Sequence, residues 1–202
     1  MQKSIILGVT GGIGSGKTLV CEILSTLNIP IYQADDQAKY LMSNDLDLVS
    51  KIKKAFGEES YLPNKQINRV YLAKEVFSKP SNLSLINSFV HPAVKASFQK
   101  WCLEKQDHPI LVKEAALLFE SGSYVELDKV VVVNSPLELK MKRILARDTH
   151  RSEKDVLAIM KNQWTEEMKM EKADYVVWNN DKELLIPQVL GVIQDIKKPS
   201  LS

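Results

Sequence analysis

The stretch Gly11-Gly12-Ile13-Gly14-Ser15-Gly16-Lys17-Thr18 constrains this chain more than any other. Before it runs Ile5-Ile6-Leu7-Gly8-Val9, apolar and short enough to be a buried strand. After it come Leu19, Val20, Ile23, Leu24 and Leu27, whose spacing draws one apolar face on a helix. The pattern G-x-x-x-x-G-K-[ST] between a strand and a helix is the phosphate-binding P-loop. Its glycines permit a tight turn that aims successive N–H groups at an anion, and the helix N-terminus adds partial positive charge. Lys17 then serves the β- and γ-phosphates and the Thr18 hydroxyl serves Mg²⁺. Gly12, Ile13, Gly14, Ser15 and Gly16 supply the cradle. The G-x-G-x-x-G spacing of a dinucleotide loop does not occur.

The remaining residues organise around that loop. Ile29–Ala34 reads as a second strand ending at Asp35-Asp36. From about residue 36 to 108 the periodicity is helical, with apolar faces that include Leu41, Ile52, Val70, Phe77, Leu85, Phe89 and Phe98. Gly57, Pro63, Pro80 and Pro92 divide this region into separate helices. It is far longer than a simple crossover, so it reads as a helical lobe inserted into the core. Strands return at Ile110-Leu111-Val112, at Val130–Val133 and at Tyr175–Trp178. Helices follow Pro136 and again after Leu184, the latter starting late or kinking at Pro187. Strands alternating with helices predict a doubly wound α/β fold around a five-stranded parallel sheet. Ligands then sit at the carboxyl ends of the strands.

Composition narrows the function. With 202 residues and 45% hydrophobic content, the chain can bury a full core. A net charge of +2 makes no case for nucleic acid or for an anionic membrane. No signal peptide or bilayer-spanning run is present in the sequence, and Cys21 and Cys102 form neither a metal spacing nor a disulfide framework. The expectation is a reduced cytoplasmic enzyme. Lys197–Ser202 reads as a disordered tail.

Several carboxylates and cations stand where chemistry would use them. Asp35, at the end of the second strand, can orient a hydroxyl and take its proton, whereas Asp36 reads as a solvated turn or cap. Glu114, ending the third strand, either holds Mg²⁺ through water or is a solvated sheet-end acid. Lys140, Lys142, Arg143, Arg147, His150 and Arg151 form a basic run. Arg143 and Arg147 share one helix face at i,i+4, suited to a lid over a triphosphate; the plainer alternative is a solvated face. Lys169, Asp174 and Asn179 pass as surface residues, and Trp101, Trp164 and Trp178 as packing.

Taken together, these residues resemble the dephospho-CoA kinases. The resemblance covers Thr10 with the P-loop, Ala34-Asp35, Arg69…Leu72…Val76-Phe77, His91-Pro92-Ala93-Val94 and Leu117-Leu118-Phe119-Glu120-Ser121-Gly122. It continues through Asp128-Lys129-Val130, Pro136…Arg143…Arg147, Gln163 and Ala173-Asp174-Tyr175-Val176-Val177…Asn179. It implies one kinase domain over residues 1–202, with an acceptor-binding helical lobe at 36–108 and a lid region at 137–165. The implied reaction moves the γ-phosphoryl of ATP to the ribose 3′-hydroxyl of dephospho-CoA, with Mg²⁺. By resemblance Asp35 is the base, and Arg143 and Arg147 join Lys17 on the phosphates. Thr10, His91 and Leu117–Glu120 (Leu117, Leu118, Phe119, Glu120) border the acceptor, and Asn179 lies beside the adenine.

Four positions depart from the family pattern. Gln33 replaces an Asp, Ala116 a Pro, Asn134 an Asp, and Asp181 the Gly that follows the Asn. Two other readings compete. A kinase of another small acceptor, such as a nucleoside monophosphate, would share the core but not His91-Pro92 or Leu117–Glu120. A GTPase switch would need an Asn-Lys-x-Asp or Asp-x-x-Gly motif, and neither occurs.

Overall fold

The computed structural model describes residues 3–198. It divides into two compact units, Met1–Tyr32 with Lys105–Ser202 and Gln33–Glu104.

The first unit is built on a five-stranded sheet in the order β2-β3-β1-β4-β5, with β1 at Ile5–Thr10, β2 at Ile31–Gln33, β3 at Ile110–Glu114, β4 at Lys129–Asn134 and β5 at Tyr175–Trp178. The parallel sheet expected from the sequence is present; Leu7 pairs with Val112 on one side of β1 and with Lys129 on the other. Alternate strand residues explain the burial. Leu7, Val9, Ile110, Val112, Val131, Val133 and Val177 join Val20, Cys21 and Leu24 of α1 (Lys17–Thr26) and Val189, Ile193 and Ile196 of α9 (Leu185–Ile196) in one core. Leu111 and Val132, pointing the other way, are buried as well, as expected for a parallel sheet covered on both faces. The strand order reverses at β1, between β3 and β4. The loop leaving β1 therefore lies at the switch point where such sheets bind ligands.

The second unit is helical: α2 (Ala34–Asn44), α3 (Leu46–Phe56), a short 3₁₀ turn (Glu58–Ser60), α4 (Arg69–Ser78) and α5 (Pro80–Glu104). Leu48, Ile52, Phe56, Tyr61, Leu72, Val76, Ile86 and Val90 form its core. Asp45 caps α3 by accepting from the Leu48 N–H at 3.0 Å, and Asn68 caps α4 through the Tyr71 N–H at 3.2 Å. The Tyr61 hydroxyl donates to the Met42 carbonyl at 2.6 Å, tying the 3₁₀ turn to α2.

Several local expectations are corrected. β2 is only three residues long, and Ala34, Asp35 and Asp36 already belong to the first turn of α2. Pro92 does not divide two helices, because α5 runs unbroken through it. The proline removes one i→i−4 bond, but Ile86, Val90 and Phe98, all buried, hold the helix on both sides. Val70 and Phe77 are exposed, as is Leu85 to a lesser degree, so they do not serve the core; Leu19 and Leu27 of α1 likewise face outward. Pro187 neither delays nor kinks α9: it is the third helical residue, where its missing N–H has no intrahelical partner to lose. Lys197 and Lys198 are not disordered, since their N–H groups bond to Ile193 and Asp195. Pro199–Ser202 of the expected tail lie outside the described residues. No helix among the described residues is long and apolar enough to cross a membrane.

Candidate active site

The phosphate loop joins β1 to α1. Gly16, at φ 96°, is the N-cap of α1, and a β-carbon there would collide with the side-chain amide of Asn179. Gly14, at φ 78°, would press a β-carbon against Ile144 and the Lys140 carbonyl, both at 2.8 Å. Only glycine fits either backbone or either space. The Asn179 amide donates to the Ser15 carbonyl at 2.9 Å, tying the loop to the segment after β5. The Lys17 ammonium is folded onto the loop, donating to the Gly11 carbonyl at 3.0 Å. Thr10 Oγ1 and Ser15 Oγ are buried without hydrogen-bond partners among the described residues.

A cavity of about 460 Å³ opens beside this loop. Gly14, Gly16, Lys17, Thr18, Arg143, Arg147 and Asn179 line it, with Glu22 and Asp181. The two arginines come from α6 (Leu137–Arg147), one helical turn apart. Arg143 is held on every side: it donates to Ser135 Oγ at 3.0 Å, to the Asn179 carbonyl at 3.1 Å, to Asn179 Oδ1 at 3.4 Å and to Asp181 at 2.6 Å. Arg147 makes a forked pair with Asp148 at 2.9 and 3.0 Å. That pairing raises the Arg147 pKa and, with Arg151 and His150 adding a smaller effect, lowers that of the Asp148 carboxyl. Three cations thus converge with loop glycines and a helix N-terminus on a volume suited to a small ligand. This is the chemistry of a polyphosphate site.

The basic run is not one lid face. Lys140 is 5% exposed and pairs with Glu166 at 2.7 Å. The Glu166 carboxylate sits where a Gly12 β-carbon would be, and the Ile13 N–H donates to Gln163 Oε1 at 3.2 Å. Gln163, ahead of α8 (Glu166–Lys172), and Glu166, its first residue, therefore cover the loop at Gly12–Ile13. Lys169 is not a surface residue, as it is fully buried, 3.4 Å from Glu120. Glu120 also accepts from the Trp164 N–H at 2.7 Å.

The remaining candidates divide between the two units. Leu118 and Phe119 are core residues, Phe119 stacking on Trp164 with centroids 5.6 Å apart, whereas Leu117 is exposed. Asp174 is no bystander: it accepts from Lys129 and from the Val130 N–H, both at 2.8 Å. Glu114 ends β3 close enough to Cys21 to help raise its thiol, behind the larger effect of burial and against the pull of Lys17. In the helical unit, Asp35 opens α2, Asp36 pairs with Lys39 at 2.6 Å, and His91 is exposed on α5.

For Mg²⁺, the donors on offer are the Thr18 hydroxyl and the Glu114 carboxylate, both hard oxygens. No group of three or more His, Cys, Asp or Glu side chains forms a metal cage among the described residues. That set fits an ion that keeps most of its waters and takes further oxygens from substrate phosphates.

Sequence reasoning did not name some of these partners. Asp181 and Ser135 meet Arg143 from loops after β5 and β4, and Glu120 meets Lys169 across 49 positions. The signal at Asp181 was its departure from glycine.

Comparison with known proteins is consistent across sequence and structure. Residues 5–184 match the family profile described as dephospho-CoA kinase. A dephospho-CoA kinase of Bacteroides fragilis is 35% identical over 190 residues, covering 94% of this chain and 92% of that protein. One from Chlorobium luteolum is 39% identical over 182 residues, covering 87% of this chain and 82% of its own length. Among solved structures, a Thermus thermophilus protein superposes with a TM-score of 0.87 at 30% identity, covering 98% of this chain and all of its own. The dephospho-CoA kinase of Campylobacter jejuni gives 0.69 at 31% identity, with 95% and 96% covered.

Proposed function

This chain belongs to the dephospho-CoA kinase family, and on that premise we propose that it transfers the γ-phosphoryl group of ATP to the ribose 3′-hydroxyl of dephospho-CoA, giving coenzyme A and ADP. It is an ATP-dependent phosphotransferase. The observation that carries the reading is the cavity where Lys17, Thr18, Arg143 and Arg147 face one another beside the glycine loop.

Each residue then has a physical task. The loop N–H groups from Gly12 to Gly16, the α1 N-terminus and Lys17 hold the ATP phosphates. Lys17 exchanges its bond to the Gly11 carbonyl for phosphate oxygens. Arg143 and Arg147 offset the charge that builds on the γ-phosphoryl oxygens during transfer. Asn179, already bonded to the loop and to Arg143, keeps the nucleotide-side turn in register with the phosphates. Thr18 and Glu114 would hold Mg²⁺, which would offset negative charge on the phosphates. Asp35 accepts the proton of the attacking hydroxyl. Thr10, His91 and Leu117–Glu120 contribute to holding the acceptor, with the exposed Leu117 side chain available for contact. Residues 36–108 act as the acceptor lobe and 137–165 as the lid. The setting is the cytoplasm, where ATP and the acceptor are both present.

The test is direct. With ATP and Mg²⁺, mass spectrometry should show dephospho-CoA gaining one phosphoryl group, and nucleoside monophosphates should be far poorer acceptors. Equal turnover of a nucleoside monophosphate would replace the acceptor assignment while leaving the nucleotide site intact.

A further inference from the structure

Asp181 occupies a backbone conformation that side chains resist. Its φ is 60°, in the left-handed region where glycine is at ease and where Asp and Asn are the side chains best tolerated. A carboxylate therefore stands on a backbone that would be easier without it.

The position of that carboxylate is informative. It lines the nucleotide cavity and lies 2.6 Å from the Arg143 guanidinium. The other acceptors described on Arg143 are neutral: Ser135 Oγ, the Asn179 carbonyl and Asn179 Oδ1. Those three fix the direction of the side chain, while Asp181 supplies the opposing charge. The pair is also built to be broken. Asp181 is 63% exposed and Arg143 29%, so water screens their attraction. A polyphosphate in the same cavity brings several negative charges to the same guanidinium.

We propose that Asp181 is a displaceable counter-ion. It holds Arg143 in the nucleotide-free cavity and yields it to phosphate when ATP binds. It thereby sets how much negative charge a ligand must bring to occupy the site. Asp181 does not touch the reacting atoms; it acts through Arg143. The proposal rests on the reading of Arg143 as a phosphate ligand.

Two substitutions separate charge from backbone. Asp181→Asn keeps a residue tolerant of the left-handed conformation and removes the charge; Asp181→Gly removes the charge and relieves the backbone as well. Both should lower the KM for ATP by about 1.5- to 5-fold, the range expected for one exposed ion pair. Inorganic tripolyphosphate, which has no base or ribose, should inhibit both variants more tightly by a similar factor. The KM for dephospho-CoA should not change, and kcat should stay within about twofold, the range left to one screened contact. In an Arg143→Ala background Asp181→Asn should have no further effect on ATP.

An unchanged or raised KM for ATP in Asp181→Asn, with Arg143→Ala still impaired, overturns the counter-ion role alone. A large fall in kcat overturns it too, making Asp181 a productive brace for Arg143. A shift in Asp181→Gly but not in Asp181→Asn assigns the effect to the backbone instead of the charge. If Arg143→Ala changes neither kcat nor the KM for ATP, the reading of Arg143 fails, and the counter-ion role fails with it.

Discussion

Lys169 and Glu120 meet inside the nucleotide-binding unit, ammonium to carboxylate at 3.4 Å, with the lysine side chain wholly buried. Among the described residues the lysine Nζ has no hydrogen-bond partner, and neither does Glu120 Oε2. Oε1 is engaged by the Trp164 N–H. Two charges removed from water this way depend on each other far more than a surface pair does.

Breaking that pair from one side should therefore unfold the protein at lower temperature. Lys169→Met or Glu120→Gln should cost about 3–5 kcal/mol. For a chain of this size that is roughly 6–20 °C in Tm. The double variant Lys169→Met/Glu120→Gln keeps an acceptor for Trp164 and removes both charges, so it should regain most of the loss. Calorimetry on the three variants checks this; a double variant no better than the singles would mean that the lysine is not held by charge.

Lys17→Ala should nearly abolish turnover in a folded protein. Its side chain bonds a loop carbonyl at the cavity and is not part of the apolar core, so the loss is electrostatic. About 10²–10³-fold or more is expected in kcat. Steady-state kinetics with a circular-dichroism control decides it, and near-normal kcat would remove the phosphate role.

Arg143→Ala and Arg147→Ala should both lower kcat more than they weaken dephospho-CoA binding. Their surroundings separate them further. Arg143 is bonded to Ser135, Asn179 and Asp181 and ties α6 to the segment after β5, whereas Arg147 bonds only its sequence neighbour Asp148 among its described hydrogen bonds. Arg143→Ala should therefore also lower Tm, and Arg147→Ala should leave it within a degree or two, as for surface substitutions. Equal small effects of both on every kinetic constant would return this helix to a solvated face.

The loop, the strands β1, β4 and β5 and the α6 arginines were legible because each is a local pattern: a glycine spacing, a valine run, an i,i+4 pair. What stayed hidden is set by contacts distant in sequence. Nothing near Lys169 announces a carboxylate 49 positions earlier, and an isolated lysine in Glu-Glu-Met-Lys-Met-Glu-Lys has the composition of a solvated helix. Lys140 sits among surface cations and is buried because Glu166 is brought to it. Pro92 shows the opposite case. A strong local signal for a helix start was overridden by packing of Ile86, Val90 and Phe98 along one continuous helix.

Cys21 offers a check on the core beside the phosphate loop. Burial, with help from the Glu114 carboxylate and against the pull of Lys17, pushes its thiol up to about 12, so at pH 9 it remains protonated. An ordinary cysteine would be largely thiolate there. Iodoacetamide at pH 9 should thus label Cys102, which is half-buried, well before Cys21, and should reach Cys21 only on unfolding. Mass mapping of the labelled peptides reads this out. Rapid native labelling of Cys21 would contradict its burial.

The last prediction concerns Asp35 and its neighbours on either side. A ribose hydroxyl is a poor nucleophile until it is aligned and its proton has an acceptor. Gln33 ends β2 and carries an amide, which takes no proton at neutral pH. Asp35 and Asp36 both lie in the first turn of α2, where a negative charge favours the helix by about 0.3–1 kcal/mol. Losing either charge should therefore cost a similar small amount of stability. Activity should separate them. Losing a positioned general base costs about 10²–10⁴-fold, so Asp35→Asn should lose kcat on that scale with its ATP affinity largely kept. Asp36 is occupied with Lys39 on an exposed face, and Asp36→Asn should turn over nearly as the parent does, as should Gln33→Ala. Matched falls in Tm for the two aspartate variants, with kcat lost in only one, would tie the loss to proton transfer and not to the helix start. If Asp35→Asn keeps more than about a tenth of the parental kcat, a loss below that range, the base is another residue. Asp36 is then the next to test, since its pairing with Lys39 would have to break for it to serve.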